Sequence, residues 1–190
     1  MSRSHGAILF FGSIRSRTCL QAGVCIVPLS GMASGVQLAG MLRDSGSQML
    51  FASASTRDLI SVFKGELSNL SDDAYVAFDF EGAGWQKFED LLKGASTEDL
   101  IVDIKPQDAF NLIYSSGTTG VPKGIEQSHN MRFQHVVRFR EMGLDEGAVT
   151  MIATALYSNT TLVAFLPTMA LGGRVVLMPK FDTEEYLQLA

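Results

Sequence analysis

Residues 114–124 read YSSGTTGVPKG, a cluster of hydroxyls, glycines and one lysine whose chemistry suits holding a polyphosphate. Gly117, Gly120 and Gly124 permit positive φ and let amide N–H groups approach phosphate oxygens that a Cβ would keep at a distance. Ser115, Ser116, Thr118 and Thr119 add rotatable O–H donors, and Lys123 adds a compact positive charge with three donors. Pro122 fixes φ beside the lysine and so reduces the entropy lost when a ligand is held. An apolar run at residues 109–114, interrupted by Asn111, leads into the cluster, and residues 124–127 form a second candidate strand. A surface linker of the same composition is the plain alternative. A glycine-rich loop between regular elements is, however, where phosphate-binding loops occur.

The string also comes close to the nucleotide-binding pattern G-x-x-x-x-G-K-S/T. Pro122 stands where its second glycine belongs, and Gly124 stands where a magnesium-binding hydroxyl should follow the lysine. These two departures argue against a P-loop kinase or NTPase.

Taken with its flanks, the string resembles the phosphate-binding signature of the adenylate-forming superfamily, which includes acyl-CoA and aryl-CoA synthetases, peptide-synthetase adenylation domains and beetle luciferases. Asp108 and Ala109 precede the strand, and Ser128 and His129 follow the loop, at the spacing of that family. Pro28 through Leu42, Arg43, Asp44, Ser45 and Gly46 is similar to its earlier proline, helix and D-S-G stretch. Residues 172–182, GGRVVLMPKFD, resemble its G-x-x-V-V-L-x-x-x-F-D segment. The likeness runs from Gln21 to the end of the chain.

The resemblance implies an α/β fold, a layered sheet flanked by helices, forming part of the large N-terminal domain of an adenylate-forming enzyme. Residues 1–20 are then an irregular leading segment, and residues 21–190 a partial AMP-binding domain. It implies a carboxylate attacking the α-phosphate of ATP, release of pyrophosphate, and passage of the acyl group to a thiol, usually coenzyme A, in chemistry such as fatty acid metabolism. Ser115, Ser116, Gly117, Thr118, Thr119, Gly120 and Lys123 would hold the β- and γ-phosphates. Magnesium would share the charge near Ser115, and Lys123 would act in catalysis. Loading of a carrier protein, or a non-catalytic nucleotide-binding fragment, are the alternatives. Tyr157 and Ser158 fall where many relatives carry an aromatic residue and a histidine beside the carboxylic acid substrate. They equally suit a strand-to-helix turn with Ser158 or Thr160 as N-cap. The family's later motifs, for adenine, ribose, a magnesium-binding glutamate and a C-terminal lysine, are not found here. The chain alone is therefore expected not to turn over.

Apolar runs alternating with helical periodicity supply the elements that would position these residues. Strands are expected at 24–29, 49–52, 75–80, 109–114, 149–154 and 174–178. Ser34 and Gln37 read as a capping box opening a helix that carries Leu38, Met41 and Leu42 and stops before Gly46. Further helices are expected at 56–63, at 85–92 with Trp85, Phe88, Leu91 and Leu92 in the core, and at 161–171. Asp182 should cap a last helix whose first turn carries Glu184 and Glu185. Residues 64–73 read as a loop and 94–107 as an exposed linker. The βαβ alternation predicts parallel strands.

The chain has 190 residues, enough for one domain or a large fragment with a substantial core. Its hydrophobic fraction of 46% and charged fraction of 18% suit a surface partly covered by other protein, with oligomerisation through exposed apolar side chains as the corollary. Net charge is −5 with 15 Lys and Arg, so no nucleic-acid footprint is present. His129, Arg132, His135, Arg138 and Arg140 read as the solvated face of a helix whose apolar side is Phe133, Val136 and Val137. Cys19 and Cys25 match no zinc or redox spacing and suit a reducing cytosol. The uncharged stretch 148–173 is interrupted by Ser158, Asn159, Thr160 and Thr161, and Pro167 should break its second half. It is read as strand, turn and buried helix rather than a membrane span, and a cytoplasmic location follows.

Overall fold

The computed structural model of the chain describes residues 5–9, 19–96, 98, 100–115 and 122–189. They fall into two compact units, residues 1–127 and 128–190.

Short apolar runs such as 25–28 and 75–77 become buried strands of one sheet, whose edge members at 86–87 and 123–128 are polar and more exposed. The strands are β1 (His5–Leu9), β2 (Cys25–Pro28), β3 (Ser47–Ala52), β4 (Tyr75–Ala77), β5 (Gln86–Lys87), β6 (Ala109–Ser115) and β7 (Lys123–Ser128). The seven strands lie in the order β5-β4-β3-β1-β2-β6-β7. Pairing is parallel between β1 and β2, β1 and β3, β2 and β6, β3 and β4, and β4 and β5, as the βαβ alternation requires. The leading residues, read as irregular, supply β1 in the middle of this order.

Helix α1 (Gly35–Asp44) starts at the expected capping box: Ser34 accepts from the Gln37 amide, and Gln37 accepts from the Ser34 amide. Its Leu38, Ala39, Met41 and Leu42 enter a core with Val27, Leu50, Ile60, Phe63 and Tyr75. At its other end the chain turns through Gly46 at φ 62°. Helix α2 (Arg57–Ser61) is shorter than expected at both ends: a 3-10 turn, Ala54–Thr56, takes its first residue, and the chain turns from residue 62 onward.

The expected helix at 85–92 is different. Gln86–Lys87 forms edge strand β5, leaving a single turn, α3 (Phe88–Leu92), too short to set Trp85 and Leu92 on one face. Trp85 packs edge-on against Tyr75 and Phe80, and Phe88 against Phe51 and Phe78, while Leu92 is 57% exposed. The described part of residues 94–107 has no regular element, as expected of a linker.

In the second unit, β8 (Val149–Ile152) and β9 (Arg174–Leu177) pair in parallel. Helices α4 (His129–Glu141) and α5 (Asn159–Ala170) pack on each other, and α5 also packs on both strands. Pro167 does not break α5; it is buried within it, and the helix continues to Ala170. Asp182 caps α6 (Thr183–Leu189) by accepting from the amides of Glu184 at 3.0 Å and Glu185 at 2.9 Å. No helix among the described residues is long and apolar enough to cross a membrane.

Candidate functional site

The polyphosphate-binding string is bounded by adjacent strands. Strand β6 alternates buried and partly exposed residues and ends at exposed Ser115, and β7 begins at exposed Lys123. Gln127 on β7 is linked to Asn111, while Gly124 lies against Leu112 and Tyr114. The two contacts run in opposite senses along the strands, so β7 returns along β6 and brings Lys123 back towards Ser115. Ser116, Gly117, Thr118, Thr119 and Gly120 lie outside the described residues.

Gly124 corrects one sequence expectation. It is not among the residues with positive φ. A Cβ there would stand 2.9 Å from Leu112 Cδ2 and 3.2 Å from Cε1 and Cζ of Tyr114, so the need for glycine is close approach.

Sequence reasoning passed over Tyr114, treating it as the end of an apolar run. Its hydroxyl lies 2.6 Å from Asp44 Oδ2, to which it donates, and 3.0 Å from the Met41 carbonyl oxygen. Burial, then the bond to Asp44 and its charge, hold the phenol well above its usual pKa. The D-S-G stretch and the phosphate-loop strand thus meet directly. Ser45, in the same stretch, donates to the Leu42 carbonyl and shares a hydrogen bond with Ser47.

Tyr157 and Ser158 are partly buried in the turn between β8 and α5. Ser158 is the N-cap residue by its extended backbone, φ −84° and ψ 138°, but its side chain makes no capping bond. Thr161 closes this turn instead, its hydroxyl donating to the Ala155 carbonyl at 2.7 Å and lying 2.6 Å from Thr154 Oγ1.

Helix α4 departs from the expected faces at two residues, while Arg138 and Arg140 are exposed and Val136 and Val137 partly buried as expected. Ser128 caps it through the Met131 amide, Phe133 is 59% exposed, and Arg132 is buried at 3%. Loss of water pushes the Arg132 guanidinium down to about 10. His135 is also lowered, by burial and then by the charges of Arg132 and Arg138. Among the described residues no three His, Cys, Asp or Glu side chains gather as a metal site.

The profile of the family described as AMP-binding enzyme matches residues 17–189. The chain belongs to the AMP-binding enzyme family. Within this family, an indoleacetate–CoA ligase of Aromatoleum aromaticum is 28% identical over 174 residues, covering 87% of this chain and 32% of that protein. A D-alanine–D-alanyl carrier protein ligase of Lacticaseibacillus rhamnosus is 34% identical over 83 residues, covering 43% of this chain and 16% of that protein. The N-terminal domain of FACL13 from Mycobacterium tuberculosis superposes with a TM-score of 0.81 at 18% identity, over 99% of this chain and 47% of that one, and shows the shared fold. The chain therefore spans no more than about a third of the length of these curated relatives.

Proposed function

We propose that this chain is part of an AMP-forming acid–thiol ligase: it grips the β- and γ-phosphates of ATP while a carboxylic acid is activated as an acyl-adenylate, which coenzyme A then intercepts. The observation that supports this reading is the return of β7 along β6, with exposed Ser115 ending one strand and exposed Lys123 beginning the other, on either side of the hydroxyl- and glycine-rich string. Lys123 would neutralise charge growing on the departing pyrophosphate, and Ser115, with Ser116, Gly117, Thr118, Thr119 and Gly120, would donate hydrogen bonds to it. Ser115 offers an exposed hydroxyl oxygen, the hard donor type that suits magnesium. Magnesium reaches such sites chiefly through substrate phosphates and, when bound, would offset their charge.

Tyr157 and Ser158 are proposed to border the carboxylic acid. Coenzyme A is favoured as acceptor because the match to a CoA ligase covers most of the chain. The shorter match to a carrier-protein ligase supports loading of a carrier protein as the second reading. The proposal extends to residues 21–190 as a partial AMP-binding domain whose sheet takes β1 from the leading segment 1–20, to a cytoplasmic setting, and to self-association through exposed side chains such as Met32, Val36 and Val62.

Calorimetric titration of the 190-residue chain with magnesium and ATP tests the reading. Binding is expected, and Lys123→Ala should weaken it roughly tenfold to a hundredfold, the effect of losing ~1.5–3 kcal/mol from a charged hydrogen bond. No binding, or equal binding by both proteins, would refute the phosphate grip. ATP–pyrophosphate exchange by the chain alone would refute its reading as a fragment.

A further inference from the structure

We propose that Tyr114 is a positioning residue for the nucleotide grip: it ties the end of β6 to the last turn of α1 and presents the ring against which Gly124, and hence Lys123, is set. This inference rests on the nucleotide reading above and adds to it a residue and a route of action.

The anchor starts from a packed helix. Asp44 closes α1, whose start is fixed by the Ser34–Gln37 capping box and whose Leu38, Ala39, Met41 and Leu42 are buried. The Tyr114 hydroxyl reaches this helix end through the Asp44 carboxylate at 2.6 Å and the Met41 carbonyl at 3.0 Å. A hydrogen bond to a charged acceptor is stronger and more demanding of geometry than one between neutral groups. With its tip held, the ring cannot swing away, and Gly124 lies close enough that a Cβ would stand 3.2 Å from Cε1 and Cζ. Lys123 is the next residue towards the string. Its backbone therefore begins β7 from a surface whose position is set by Asp44.

A tyrosine serving the core alone would need one acceptor, and the Met41 carbonyl would supply it. The single phenolic proton instead goes to the nearer, charged Asp44 at 2.6 Å, which fixes the direction of the hydroxyl. A phosphate-binding lysine misplaced by about 1 Å loses much of its effect, because alignment carries much of the benefit.

The test uses the 190-residue chain and its Tyr114→Phe and Asp44→Asn variants, with magnesium and ATP as the titrant and thermal melting run in parallel. Tyr114→Phe keeps the ring and loses the tether; Asp44→Asn keeps the ring and hydroxyl and weakens the acceptor. Each variant is expected to remain folded and to bind ATP about tenfold more weakly. The amide NMR signals of Lys123 and Gly124 should move in both variants while those of β4 stay in place. A lower melting temperature with unchanged affinity in the folded variants would overturn the inference, because it describes a purely structural tyrosine. If Tyr114→Phe does not fold, Asp44→Asn decides by the same criteria. Failure of the unsubstituted chain to bind ATP would overturn the nucleotide reading and this inference with it. Binding that both folded variants preserve overturns this inference alone.

Discussion

Asn111 Nδ2 donates to Gln127 Oε1 across 3.0 Å, and both side chains are buried. This bond joins β6 to β7 beneath the proposed phosphate grip and explains the lone polar residue in the apolar run at 109–114. Gln127→Leu should destabilise the chain by about 1–3 kcal/mol, since it removes a buried partner without replacing it. Urea denaturation measures the change. A second substitution, Asn111→Leu, should add less than its own single-variant cost if the two amides act as a pair.

Alkaline titration probes the tyrosine tether. Tyr114 is held above its ordinary pKa in the folded chain by burial and by Asp44, so the folded state keeps the phenol proton more tightly than the unfolded state. Its contribution is fully present below the unfolded value of about 10 and is lost as pH rises past it towards the folded value. The stability difference between the unsubstituted chain and Tyr114→Phe should be constant near neutrality and shrink above pH ~10. A difference that grows with alkali would contradict the assignment.

Two glycines should respond in opposite directions to the same added methyl group. A Cβ at Gly173 would meet the Ala148 carbonyl oxygen at 2.9 Å and Thr168 Cγ2 at 2.9 Å, in the turn that leads into β9. Gly40, in exposed mid-helix α1, has nothing within 4 Å. Gly173→Ala is expected to lower stability by about 1–3 kcal/mol and Gly40→Ala to raise it by about 0.5–1 kcal/mol. Paired thermal melts decide both.

His135 should titrate by NMR below the ordinary histidine value of about 6.5, because burial and the charges of Arg132 and Arg138 oppose its protonation. Arg138→Gln removes one of those charges and should move the midpoint upward. The folded chain should lose His135's share of stability as pH falls below about 6.5 and through the depressed folded value. A midpoint at or above the ordinary value would contradict the assigned effects of burial and of the two arginines.

The features that were legible in the sequence are those whose cause is local. The Ser34–Gln37 box, the Asp182 cap and the parallel strands after residue 24 depend on neighbours a few positions away or on simple periodicity. Arg132 and Phe133 exchanged their expected environments because the apolar pattern of α4 is weak, and tertiary packing decided its faces. Strand β1 was missed because five residues with one histidine and a glycine carry little strand signal until β2 and β3 flank them. The outer bounds of the candidate site were legible from composition. The role of Tyr114 was not, because its acceptor lies 70 positions earlier in the chain.

The place of β1 bears on how the chain can be handled. With β3 on one side and β2 on the other, His5–Leu9 bridges the β5-β4-β3 half of the sheet and the β2-β6-β7 half that carries the phosphate grip. Proteolytic trimming or a bulky tag at the amino terminus would thus act on the keystone of the sheet rather than its fringe. The damage would reach Lys123, far along the sequence, by parting the two flanks.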